Sequence, residues 1–237
     1  PRVRRQRQMC IRDSNRAALP AIFNPEDLNA LEQALRIKDA NPGSTVTMLT
    51  MGLPRAAEVI REAMFRGADT GIVLTDRALG GADTLATSYS LAQAIKKMGK
   101  IDIMLCGRQA IDGDTAQVGP QVAEKLGLPQ VTYAEEILEI DNNHITVKRR
   151  LENGVEVVKA PLPCVVTVNG SAAECRPRNA KRVMTCKFAL AKSEIAAAPD
   201  SPAAKRAAAE KTSEAAASMT DAVMTAAASD ADAATRY

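Results

Sequence analysis

From Ser44 to Gly127 short β-branched runs alternate with amphipathic stretches of helical length, and no other feature constrains the fold as strongly. TVTMLTMG (45–52), TGIVLTD (70–76) and IDIMLCG (101–107) read as strands; PRAAEVIREAMFRGA (54–68), DTLATSYSLAQAIKKMG (83–99) and TAQVGPQVAEKLG (115–127) read as helices. Pro54 opens the first helix, and Asp83 is placed to cap the second, whose last turn is basic and ends at Gly99. Strands alternating with helices predict parallel βαβ units, hence an α/β fold with a doubly wound, mostly parallel sheet. Such a sheet is covered on both faces, so its strands are almost continuously apolar. Ligands lie outside the carboxyl ends of its strands, which directs attention to the loops after Gly52, Asp76 and Gly107.

The flanking segments differ. FNPEDLNALEQAL (23–35) reads as an amphipathic helix with Pro25 at its start and Asn24 as its cap. VTYAEEILEID, HITVKRRLENG and VEVVKAPLPCVVTVNG read as strands turning at Asn142–Asn143 and Asn153–Gly154, an antiparallel extension of the sheet. His144 falls on a turn or strand edge and is read as structural. Residues 191–237 hold 19 alanines and no Leu, Phe or Gly, a helix-favouring tail with little to bury that could serve as a partner-binding arm.

The formal charge of +3 is misleading until it is localised. Residues 1–16 carry six arginines against Asp13 alone, and the rest of the chain holds 25 basic and 27 acidic residues. The basicity is therefore an N-terminal patch. Its stretch RQRQMCIRDS resembles the peptide read from translated sequencing-adapter DNA, so residues 1–14 are expected to be a non-native leader. That leaves 15–190 as the α/β domain and 191–237 as the tail. Three Phe, three Tyr and no Trp offer few stacking platforms for single-stranded nucleic acid. No run of about 18 apolar residues suggests a membrane span. Five cysteines without a C-x-x-C pair, and a lone histidine, give no local metal spacing and point to a reduced, cytoplasmic compartment.

The sharpest local signal is LCGRQAIDGDTAQVGPQVAEKLG (105–127). A strand ends at Gly107, a polar loop runs to Asp114 and a helix is expected from about Thr115. The first turn of a helix offers unpaired N–H groups and partial positive charge, which suit a phosphate. Gly113 allows close approach of backbone to ligand, and Thr115 and Gln117 can donate to phosphate oxygens. Asp112 and Asp114 would repel a phosphate if both faced it, so one is expected to cap the helix and the other to bind a ribose hydroxyl or a loop N–H. A capped βα turn holding no ligand is the plain alternative. TDRALGGADTLATS (75–88) repeats the design with Asp83 and Thr84 at a second helix start. Neither the dinucleotide G-x-G-x-x-G spacing nor a P-loop is present.

At CGRQAIDGDTAQVGPQVAEKLG the chain resembles the β subunit of electron transfer flavoprotein. The likeness extends through PAIFNPEDLNALEQAL, FRGADTGIVLTD and GADTLATSYSLAQAI in the same order and covers about residues 17–190. It implies a Rossmann-like, adenine-nucleotide-binding fold and a heterodimer with an α subunit carrying its own FAD. It also implies a nucleotide on this chain: AMP in the ordinary branch, a second FAD in the electron-bifurcating branch. The family's nucleotide loop matches Ala110 through Gln121, including Ala110, Ile111, Asp112, Gly113, Asp114, Thr115, Ala116, Gln117, Val118 and Gly119. Its Asn-Pro segment matches Asn24 to Leu28, with Asp27, and its glycine turn matches Met51 and Gly52.

The D-G-D-T-A-Q-V-G and G-G-A-D-T wordings resemble the bifurcating branch, so FAD is expected over AMP. NADH is then the expected donor, and electrons pass to an acyl-CoA-type dehydrogenase and to ferredoxin or flavodoxin. No side chain is nominated as acid, base or nucleophile: the chain reads as an electron carrier in a complex, with redox chemistry belonging to a flavin. An adenine-nucleotide-binding or interaction protein without redox function is the reading from another class. ECRPRNAKRVMTCK (174–187) matches the family's dehydrogenase-docking loop, and Glu174, Arg176, Arg178, Lys181 and Arg182 are its candidate contacts. The family's first strand, central in its sheet, has no counterpart before Leu19, so this chain is expected to lack that strand.

Overall fold

The computed structural model describes residues 21–190. Residues 1–14, expected to be a non-native leader, and the alanine-rich tail of 191–237 lie outside the described residues. In chain order the elements are α1 (Pro25–Ala40), β1 (Thr47–Met51), α2 (Ala57–Arg66), β2 (Thr70–Leu74), α3 (Thr84–Met98), β3 (Ile103–Gly107), α4 (Val118–Leu126), β4 (Gln130–Ile140), β5 (His144–Leu151), β6 (Gly154–Pro161), β7 (Cys164–Val168) and α5 (Ala180–Cys186). A 3-10 turn at Pro54–Ala56 precedes α2, because Pro54 starts the turn where it needs no N–H.

The strands form two sheets. β1 and β2 pair in parallel, and five strands run in the order β3-β7-β4-β5-β6. β3, β7 and β4 are mutually parallel; β4, β5 and β6 form the expected antiparallel extension. Among the described residues no strand pairs with the outer edge of β1 or with the edge of β3 opposite β7.

Helices span that break on both faces. Successive strand residues point to opposite faces. Ile103 and Leu105 of β3 pack with Ala30 of α1, whereas Met104 packs with Ala92 and Ile95 of α3 and Val122 of α4. In β1, Met48 joins Leu31 and Leu35 of α1, and Leu49 joins the α3–α4 cluster. The chain is therefore doubly wound, with α1 and α2 on one face and α3 and α4 on the other. No described helix is long and apolar enough to cross a membrane.

Two expectations need correction. VEVVKAPLPCVVTVNG is not one antiparallel strand: it breaks at Leu162–Pro163, and β7 crosses back to lie parallel between β3 and β4. Its residues Cys164, Val165, Val166 and Val168 are fully buried, the continuous apolar run of a strand covered on both faces, whereas β6 is largely exposed at the sheet edge. The second concerns α4, which begins at Val118 rather than near Thr115. Asp114 sits at φ 51°, and the Ala110 N–H bonds the Thr115 carbonyl at 3.0 Å, so the chain closes a loop before it turns helical. His144 opens β5, its N–H donating to Asp141 Oδ1 at 2.7 Å.

Candidate nucleotide-binding site

The loop 108–117 leaves the carboxyl end of β3 and enters α4. The Arg108 N–H continues the sheet ladder to the Val168 carbonyl at 2.9 Å, and Gln109 is the first residue beyond it. Inside the loop the Gln109 side-chain amide donates to Asp114 Oδ1 at 2.5 Å and to the Asp114 carbonyl at 3.2 Å. Asp112 Oδ1 accepts the Gly113 N–H at 2.7 Å.

Both aspartates are thus turned into the loop. Asp112 bonds a loop N–H, one of the two expected roles, but neither aspartate caps α4. The N-cap is Gln117, and no side chain caps the helix. The first-turn N–H groups, which lack intrahelical acceptors, stay available, with the partial positive charge of the helix end behind them. Gly119 lies in that first turn and is buried against the sheet: a Cβ there would stand 2.8 Å from Thr167 Cγ2 and 2.9 Å from Cys106 Sγ. Only glycine lets the start of α4 come so close to β3 and β7.

The other candidate segments meet this loop to different degrees. The Thr84 hydroxyl donates to Gln117 Oε1 at 2.9 Å, and Ser88 Oγ lies 3.0 Å from Gln121 Oε1, so two rungs tie the start of α3 to the start of α4. Asp83 caps α3 as expected, accepting the Ala86 N–H at 2.8 Å. Asn24 holds the N-cap position of α1 but makes no capping bond. Its amide instead donates to Asp27 Oδ2 and to the Gln109 carbonyl, both at 2.9 Å. Met51 and Gly52 end β1 in the two-stranded sheet, where the Gly52 N–H bonds the Leu74 carbonyl at 3.0 Å. Among the described residues no hydrogen bond joins them to the 108–117 loop.

Sequence reasoning missed Gly107, Arg108, Gln109 and Glu26 as parts of this site. Gly107 is pressed against the start of α1, its missing Cβ position lying 2.8 Å from the Asp27 nitrogen and 2.9 Å from Asp27 Oδ1. Glu26 pairs with Arg108 at 3.0 Å across 82 positions, a spacing that no local pattern reveals. Glu26, and Tyr133 beside it, hold the Arg108 guanidinium above its ordinary pKa.

The 174–187 segment is basic but mostly engaged within the chain. Arg176 binds Glu32 at 3.0 Å and Asp39 at 2.8 Å, Arg178 binds Glu62 at 2.8 Å, and Arg182 donates to the Ala68 carbonyl at 2.9 Å. Glu174 and Lys181 are exposed. Burial pushes the Cys106 thiol up to about 12, with the Asp27 charge adding to it, and the Cys164 thiol up to about 11. Both stay protonated near neutral pH and are poor redox nucleophiles. Among the described residues no cluster of His, Cys, Asp and Glu is suited to a metal ion.

Residues 14–217 match the electron transfer flavoprotein domain. The chain is 55% identical over 152 residues to the caffeyl-CoA reductase–Etf complex subunit CarD of Acetobacterium woodii, covering 64% of this chain and 58% of that one. It is 52% identical over 158 residues to the electron transfer flavoprotein subunit beta of Megasphaera elsdenii, with the same coverage. To the acryloyl-CoA reductase electron transfer subunit gamma of Anaerotignum propionicum it is 47% identical over 175 residues, 73% of this chain and 65% of that one. The chain thus spans about three fifths of the length of the curated relatives it matches. With the strand–loop–helix of 103–126 at the carboxyl edge of a doubly wound sheet, these matches lead to one conclusion: the chain belongs to the electron transfer flavoprotein family, among its β subunits.

Proposed function

We propose that this chain is the nucleotide-holding β subunit of a cytoplasmic electron transfer flavoprotein heterodimer, with FAD as its nucleotide. The observation that carries the reading is the uncapped start of α4 behind the 110–117 loop, beside the Thr84–Gln117 contact. The residues fit a diphosphate-bearing ligand. Helix N–H groups at Val118 and Gly119, the Thr115 hydroxyl and the Gln117 amide supply donors, and both loop aspartates are held by loop hydrogen bonds. A side chain begun at Gly113 would meet only Thr115, at an ordinary contact distance of 3.9 Å.

FAD, when bound, supplies the one- and two-electron chemistry that the buried Cys106 and Cys164 thiols do not offer. The protein's part would be to hold the diphosphate with the 110–117 loop, Thr115, Gln117 and the start of α4, and to dock its partners. Relatives named as subunits of caffeyl-CoA and acryloyl-CoA reductase complexes support an acyl-CoA-type dehydrogenase as partner. The D-G-D-T-A-Q-V-G wording supports a bifurcating role, with NADH as donor and ferredoxin or flavodoxin as low-potential acceptor. The α subunit carries the other FAD.

The test is anaerobic addition of NADH to the β chain assembled with an α subunit. Bleaching of the flavin absorbance is the expected result; an unchanged spectrum would contradict NADH as donor and the bifurcating reading.

A further inference from the structure

The 108–117 loop is held from outside by a residue of another element. Glu26, in the first turn of α1, uses its two oxygens separately. Oε2 accepts the Gln109 N–H at 2.8 Å, and Oε1 accepts from Arg108 Nη2 at 3.0 Å and Nε at 3.3 Å. Gly170 makes room for the carboxylate: a Cβ there would stand 3.3 Å from Oε1. Arg108 in turn lies over the Tyr133 ring, 5.7 Å from its centroid, where β4 bulges between Val131 and Ala134 and Tyr133 takes φ 59°.

The grip falls where sheet support ends. Arg108 is the last residue whose N–H joins the ladder, and Gln109 is the residue whose side chain crosses to Asp114 and closes the loop. A carboxylate is the side chain suited to this place, because two donors from different groups converge on it.

Resting on the nucleotide-site reading above, we infer that Glu26 is a positioning residue that sets the nucleotide loop by fixing Gln109 and Arg108. The charge sign separates this role from a direct one. Were Glu26 acting on an anionic ligand through its field alone, removing its charge would tighten binding. As a positioning residue, it weakens binding when neutralised. Glu26→Gln keeps volume and shape but turns an amide NH2 toward one of two donors. Glu26→Asp keeps the charge and falls one methylene short of reaching both.

The experiment uses the β chain assembled with an α subunit and measures binding by equilibrium dialysis. FAD is counted above the one equivalent held by α, and AMP is titrated separately. Hydrogen exchange is followed at residues 108–115 and 130–140. Both variants are expected to bind the nucleotide about tenfold more weakly, the scale of one hydrogen bond to a charged group. Exchange should accelerate at 108–115 and not at 130–140. Wild-type or tighter binding by E26Q, or weaker binding without faster loop exchange, overturns the inference. Should E26Q fail to fold, wild-type affinity in E26D overturns it equally. A wild-type complex that binds neither FAD beyond the α equivalent nor AMP defeats the nucleotide-site reading itself, whatever the variants do.

Discussion

Asp27 Oδ1 accepts the backbone N–H of Gly107 at 2.6 Å, joining the first turn of α1 to the last residue of β3 across 80 positions. The contact exists because residue 107 has no side chain. An added Cβ would lie 2.8 Å from the Asp27 nitrogen and 2.9 Å from the Glu26 carbonyl carbon, and backbone atoms cannot swing aside. Gly107→Ala is therefore expected to destabilise the fold by about 1–3 kcal/mol, as overpacking does. It should also weaken nucleotide binding, since α1 then separates from the loop it anchors. Equilibrium denaturation and nucleotide titration check both; wild-type stability would contradict the close approach.

Gly119 permits a second prediction with an internal control. Gly119→Ala pushes a methyl into Cys106 Sγ and Thr167 Cγ2, at an expected cost of about 1–3 kcal/mol. Cys106→Ala removes one obstacle, so the double variant should lose less stability than the two single losses added together. Additive losses in a double-mutant cycle would show that the two residues do not meet.

Much of this architecture was legible in the sequence, for identifiable reasons. Strands β1 to β3 announced themselves as short, nearly continuous apolar runs and helices α2 to α4 as amphipathic stretches between them, and Asp83 caps α3 as its short acceptor side chain suggested. The path of β7 was hidden. A run such as VEVVKAPLPCVVTV carries no local mark of which strand it pairs with, and its return between β3 and β4 is decided by long-range packing. The loop motif of 110–119 could be read, but not its support. Glu26, Arg108 and Gly107 act across about 80 positions, and in sequence Glu26 is only an acidic residue in a helix's first turn, a common and uninformative feature.

Acid sensitivity follows from Glu32. Burial opposes its charged form, but hydrogen bonds from the Arg176 side chain and backbone, and then from Arg36, outweigh burial and hold the carboxyl below its ordinary value of 4.5. A carboxyl lowered in the folded state adds stability that is complete above the unfolded value and is lost as pH falls through the lowered one. Asp69, held low against burial by Lys38 and the Val46 N–H, acts in the same direction. Denaturation midpoints should therefore drop once pH falls below about 4.5. Glu32→Gln should flatten part of that acid limb while costing about 1–3 kcal/mol at neutral pH. An unchanged acid limb in the variant would contradict the assignment.

The basic segment divides into anchors and an exposed remainder. Arg176 and Arg178 are committed to Glu32, Asp39 and Glu62, whereas Lys181 is exposed on α5. Charge reversal at Lys181 should leave thermal stability unchanged and, if this face docks the dehydrogenase partner proposed above through its charge, slow association roughly 2- to 10-fold at low salt, the difference vanishing at high salt. Arg176→Ala should lower stability first. A Lys181→Glu variant with unaltered association kinetics would remove this face from partner docking.

The most direct measurement is the mass and stoichiometry of the small molecules that acid releases from the α–β complex. Two FAD per heterodimer is the outcome expected from an α4 start and 110–117 loop that hold a flavin dinucleotide. One FAD with one AMP would keep the cradle and replace its ligand. One FAD and no second nucleotide would contradict the account, because the donors gathered at Thr115, Gln117 and the first turn of α4 would then have nothing to hold.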